Sequence, residues 1–187
     1  PRRDSRDKML GRTKYTVDIG KNGVLHAVLV RAKVPSAEIK NINFEKAMLM
    51  PGVKGIASYK DAPGLHGLGI ADTPIFAKDV IRYHGEPILA IAATTIEQAQ
   101  SAARMVEIEL IQKDAVITMS EALANGAKLV HSDWSNYKVL FEGAERKGNV
   151  AWEATVVRGD TDKAFARDDV EIIEGCYSVG RQSQVPF

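Results

Sequence analysis

The chain is predicted to fold as α+β, a mixed α/β architecture, on three features of its sequence. The unbroken apolar run 88–93 (ILAIAA) has the length and content of a strand buried on both faces. A capped segment with alanines at helical spacing follows it, and 106–110 (VEIEL) then alternates with period two. Strand, helix and strand therefore succeed one another within residues 87–111.

Taken in order, residues 1–14 (PRRDSRDKMLGRTK) carry six basic and two acidic side chains, which reads as a solvated arm or one lying on another subunit. Residues 25–31 (LHAVLVR), between Gly23 and Pro35, form a strand. The segment 37–44 (AEIKNINF) is a second strand with one slipped apolar position, the mark of a bulge. A short helix over 45–50 ends at Pro51-Gly52, because proline cannot continue the ladder and glycine tolerates the exit conformation. Residues 53–59 make a further strand, and 61–73, with Pro63 and glycines at 64, 67 and 69, follow neither period. Residues 75–76 and 80–83 are short extended pieces. Gly85-Glu86-Pro87 then turns the chain into the buried run.

The helix after that run has the clearest signature. Thr95 stands at the N-cap with Gln98 three positions on, a capping box, and Ala99, Ala102, Ala103 and Val106 fall on one stripe. Small side chains along the stripe let the helix approach its sheet closely. In 106–110 the alternation sends Glu107 and Glu109 to water. A capped helix over 120–124 stops at Gly126, whereas 128–153 follow neither period and read as a surface connection of the kind that crosses between domains. Residues 158–161 open another short helix with Ala164 and Phe165 inward, and 170–179 read as a strand. The chain stops just after that strand, on the apolar Val185 and Phe187, which reads as an interrupted segment. No internal repeat is present.

Composition narrows the function classes. The 187 residues are 45% hydrophobic and 26% charged, and 25 basic residues against 24 acidic ones leave a net charge of +1. That balance argues against a nucleic-acid surface, which needs an excess of cations to displace counterions. No apolar run approaches the roughly 20 residues of a membrane span, and nothing resembles a signal peptide. The lone Cys176 excludes an internal disulfide and a multi-cysteine metal site. A cytoplasmic location fits all of this.

No catalytic constellation emerges from the residues alone. His26, His66, His84 and His131 are scattered without metal-ligand spacing, so structural imidazoles are expected. Cys176 lacks a neighbouring His or Lys and is expected as a buried small hydrophobe. The glycines at 64–69 match neither nucleotide-binding pattern. Glu107 and Glu109 read as solvated carboxylates, while Trp134 and Tyr137 are either partner anchors or pins for their own loop. A small enzyme acting through His84 and Glu86 is a third reading of the turn.

Several stretches together resemble the start of the large subunit of molybdenum-containing hydroxylases, the xanthine dehydrogenase and aldehyde oxidase family. Residues 1–19 are similar to the family's basic opening and carry Gly11, Arg12, Tyr15 and Asp18. Residues 23–42 are similar to its first strand, with Ala32 and Ser36 where serine and histidine are commoner. Pro51-Gly52 opens the next matching stretch, and Arg82-Tyr83-x-Gly85-x-Pro87 leads the strand–helix–strand block. Residues 158–187 are similar to a Gly-Asp-x-x-x-Ala-Phe stretch and an Arg-Gln-x-His-x-Pro ending, with Gln184 replacing the histidine.

The resemblance implies a basic arm (1–7), an α/β hammerhead domain (8–115), a connecting segment (116–153) and the first elements of a molybdopterin-binding domain, truncated (154–187). It further implies a non-catalytic piece of an oxidoreductase that hydroxylates aldehydes or N-heterocycles with water as oxygen source. Molybdopterin would serve the parent enzyme, with 2Fe–2S clusters and FAD on partner domains or subunits. Catalytic, cofactor-binding and metal-binding residues would then lie beyond this chain. The remainder of the molybdopterin subunit and the iron–sulfur and FAD units would be its partners, in an oligomeric parent. The alternative is a free-standing adaptor or assembly module without catalytic activity.

Overall fold

A computed structural model describes residues 2–20, 23–139 and 147–180. The chain divides into two compact units, one within 23–153 and the other within the terminal segments 1–22 and 154–187. In chain order a short helix α1 (Ser5–Met9) precedes strands β1 (His26–Arg31) and β2 (Ala37–Asn43), helix α2 (Glu45–Met48) and strand β3 (Val53–Ser58). Four two-residue strands follow: β4 (Leu65–His66), β5 (Ile70–Ala71), β6 (Thr73–Pro74) and β7 (Val80–Ile81). Next come β8 (Pro87–Ala93), α3 (Ile96–Ala103) and β9 (Glu107–Gln112), then α4 (Met119–Leu123), β10 (Lys138–Val139) and α5 (Thr161–Phe165).

In the larger unit, β8 lies between β1 and β3 in one antiparallel sheet, and β2 lies between β7 and β9 in another. Both faces of β8 are used. Ile88 packs with Ala32, Ala37, Ala77 and Ile81, whereas Leu89 and Ile91 pack with Ala47 and Ala102 on the other side. An alternating strand would leave one of those faces polar, which is why this one is apolar throughout. The bulge foreseen in 37–44 is present: the pairing of β2 with β9 shifts register between Ile39 and Asn41. Glu107 and Glu109 do face outward, Glu107 meeting Lys46 at 2.5 Å.

Helix α3 starts where its cap predicts, with Thr95 Oγ1 accepting from Gln98 N. The reciprocal arm differs from a capping box, because Gln98 Oε1 accepts from the Thr94 hydroxyl instead. That side chain also lies over Gly52, where a Cβ would stand 2.0 Å from Gln98 Oε1 and where φ is +82°. The positive φ is what favours glycine at the α2–β3 turn, since the Gln98 side chain could swing aside from a Cβ. Ala99 and Ala102 are wholly buried, and Ala103 is half-buried at the end of the stripe.

Several boundaries differ from expectation. The helix foreseen over 45–50 stops at Met48, before Pro51. The helix foreseen from 120 begins at Met119, since Thr118 and Glu121 complete a reciprocal capping box. The stretch 61–73, read as irregular, contains short strands, and the ladder near 75–76 falls at Thr73–Pro74 instead. Two-residue pairings are too short to leave a period in the sequence.

The terminal unit departs further. The arm contains α1, where Asp4 meets Arg2 at 3.0 Å and Lys8 at 2.7 Å. Asp160 caps α5 as its position predicts, yet Ala164 and Phe165, expected inward, are exposed. The strand expected over 170–179 is not formed, and Cys176, expected to be buried within it, is exposed. Alternation encodes only a facing preference; a strand also needs a neighbour, and among the described residues none pairs there. Gln184, Val185 and Phe187 lie outside the described residues.

A test of this packing compares two alanines on one helix. Ala102→Leu should cost about 1–3 kcal/mol in urea unfolding through overpacking, and Ala103→Leu clearly less. Equal losses at the two positions would contradict the buried stripe.

Candidate functional site

The turn into β8 is where side chains with chemistry gather. Gly85, with φ +88°, lets the chain reverse, and Gly85 N donates to Ala32 O while Arg31 Nη1 donates to Gly85 O. Glu86 points inward, 2% exposed, and its Oε2 accepts from Arg82 N at 2.6 Å. Burial raises its pKa against the opposing pull of Arg82. His84 stays exposed, so the two residues that a small-enzyme reading would use are separated by burial. Glu86 closes the turn; its carboxylate is committed to backbone.

Arg82 carries the turn into a second layer. Its Nη2 lies 3.2 and 3.4 Å from the two Asp133 oxygens, and its buried Nε has no hydrogen-bond partner among the described residues. Tyr137 Oη donates to Asp133 Oδ1 at 2.8 Å. That hydroxyl's single proton is then spent, so His131 Nδ1, 2.8 Å from Tyr137 Oη, is the donor of their bond. Burial first, and then the bond to Asp133, push the Tyr137 hydroxyl up to about 12. Burial works to raise Asp133, but the Tyr137 hydroxyl and the Arg82 charge outweigh it and hold the carboxyl below its ordinary range.

A neutral phenol, an ionised carboxylate and a guanidinium in this arrangement form a fastener. It ties residues 131–137 to β7, and β10 adds ladder pairing to β5. Asn149 completes the hold, donating to Ala122 O and Lys128 O and accepting from Val130 N. Of the two readings of the aromatic pair, Tyr137 is therefore a pin for its own segment, with Trp134 edge-on to it at 6.2 Å.

The remaining candidates do not come together. His26 and His66 are exposed on β1 and β4. Among the described residues no three His, Cys, Asp or Glu side chains converge as a metal group. Arg82 and Asp133 were not foreseen as a pair; 51 residues separate them, and neither period nor motif links them. No described helix is long and apolar enough to cross a membrane.

Residues 10–114 match the family model described as the α/β hammerhead domain of aldehyde oxidase and xanthine dehydrogenase. A probable xanthine dehydrogenase component of Bacillus subtilis is 32% identical over 183 residues, 97% of this chain and 23% of that protein. The nicotinate dehydrogenase large molybdopterin subunit of Eubacterium barkeri is 29% identical over 95% of this chain and 39% of its own length. Among solved structures, the aldehyde oxidoreductase of Desulfovibrio gigas superposes with a TM-score of 0.65 at 29% identity, covering 71% of this chain and 16% of that one. The chain thus spans less than two fifths of each of these relatives.

Two clefts of the larger unit mix cations with carboxylates, a poor match for the phosphate-bearing pterin that such a relationship implies. A cleft of about 370 Å³ beside Tyr137 is lined by Asp72, Asp79 and Asp133 as well as Lys78 and Arg82. In a neighbouring one of about 380 Å³, Lys113 is held by Glu38, Lys128 by Asp114 O and Arg82 by Asp133.

Two outcomes test the fastener and the turn. Tyr137→Phe should lower unfolding free energy by about 0.5–1.5 kcal/mol, read by denaturant titration. Glu86→Gln keeps an acceptor for Arg82 N but removes the buried charge. Because burial raises the folded pKa of Glu86, its contribution to stability is full below 4.5, the ordinary glutamate value, and is lost as pH rises through the raised value. The variant should therefore gain in Tm over the native protein at pH 7 and lose that advantage at pH 4.

Proposed function

This chain belongs to the aldehyde oxidase and xanthine dehydrogenase family through its α/β hammerhead domain, and on that premise we propose that it is the non-catalytic N-terminal scaffold of a molybdenum hydroxylase large subunit. The observation that carries the reading is the hammerhead match over 10–114 in a chain aligned along nearly its whole length with one part of much longer relatives. The domain limits proposed with it are a basic arm at 1–7, the hammerhead at 8–115, a connecting segment at 116–153 and the start of a molybdopterin-binding domain at 154–187. Apolar side chains exposed on the last of these, among them Val156, Ile173, Tyr177 and Val179, support a role in packing against further polypeptide.

The whole enzyme would hydroxylate aldehydes or N-heterocycles with water as the oxygen source. Molybdopterin would be its cofactor, with 2Fe–2S clusters and FAD on partner domains or subunits. The relatives' names, which speak of single subunits and of a large molybdopterin subunit, support partners of that kind. A cytoplasmic location and an oligomeric parent belong to the same reading. In this chain the residues' task is mechanical: they hold a sheet, a turn and a strapped segment in fixed relation.

Metal analysis decides it. Molybdenum is expected in the complex that tagged chain forms in its source cells and absent from the chain purified alone, which should show cooperative unfolding. Stoichiometric molybdenum on the isolated chain would overturn the scaffold assignment, and a captured complex free of molybdenum would overturn the proposed molybdopterin parent enzyme.

A further inference from the structure

Each three-stranded sheet of the larger unit has two edge strands among the described residues, β1 and β3 in one and β7 and β9 in the other. Among the described residues β1 pairs only with β8, and β9 only with β2. An unpaired edge presents a row of N–H and C=O groups ready for another strand. Between these two edges runs a groove of about 490 Å³. Leu29, Ile88, Val106, Ile108 and Leu110 supply its apolar lining, and Leu29 is 40% exposed.

The charges around this groove are all of one sign. Arg31, Lys33 and Arg104 line it, and no carboxylate does, in a chain whose net charge is only +1. The two clefts described above carry carboxylates among their cations. Glu107 and Glu109 alternate to the other face of β9, where Glu107 meets Lys46.

We propose that this groove receives an extended segment of a partner polypeptide, adding as a strand to the open edge of β1. Its apolar side chains would reach the lining and its acidic side chains would meet Arg31, Lys33 and Arg104. Main-chain pairing gives such a contact its affinity, while side-chain pockets and complementary charge give its specificity. A second copy of this chain is the poorer occupant, since β1 against β1 would bring the same cations face to face. The inference goes beyond the scaffold assignment and leaves the molybdenum test untouched.

The probe is a labelled peptide of about ten residues alternating Glu with Val and Leu, beside a counterpart with Lys for Glu. Fluorescence anisotropy measures affinity, and hydrogen exchange on the nitrogen-15-labelled chain maps protection. Saturable binding of the acidic peptide is expected, with newly protected amides along β1. A Lys33→Glu, Arg104→Glu double variant changes two exposed side chains and should weaken the acidic peptide about tenfold while favouring the lysine one. Its unchanged amide spectrum would confirm folding. Equal binding of both peptides, protection away from β1, no binding at about 1 mM, or dimerisation through β1 without peptide would each overturn the proposal.

Discussion

Burying both faces of a single strand is the constraint on which the larger unit depends. β8 sends Ile88 to one side and Leu89 and Ile91 to the other, so it must have a packed layer against each. Helix α3, faced with alanine, supplies one layer at close approach, and the second sheet supplies the other. Burial of apolar area is worth roughly 25 cal/mol per Å². A strand of small and branched residues satisfies that drive only when both layers are in place.

The turn that delivers β8 shows how the constraint reaches polar groups. Gly85 reverses the chain, Glu86 is drawn inside beside Ile88, and its carboxylate is kept from standing orphaned by Arg82 N. Arg82 then carries its guanidinium outward to Asp133, so the turn becomes the anchor for a segment 51 residues away. Buried polar groups of this kind hold geometry because leaving any one unpaired is costly. The arrangement explains why a segment without apolar periodicity nevertheless packs: Tyr137 and Asn149 hold it by specific bonds.

The same architecture separates what is closed from what is open. β8 and β2 are central, whereas β1, β3, β7 and β9 end their sheets among the described residues. The carboxylates turned to the other face of β9 follow from strand alternation, while the end of β1 and the C-cap of α3 bring Arg31, Lys33 and Arg104 to the groove. Fixed interior and accessible edge are two consequences of one register.

Local chemistry was legible without any structure. The strand run 88–93, the alanine stripe, the Thr95 cap and the bulge in 37–44 each rest on neighbours within a few residues, so sequence alone determined them. The resemblance to the hydroxylase family, carried by short stretches in order, was legible for the same reason. Pairing was not. Whether 170–179 became a strand, where Cys176 came to lie, which strands stayed open and how Arg82 found Asp133 were decided by tertiary structure. A ladder partner and a distant carboxylate are supplied by chain closure across many residues, and no local periodicity records them.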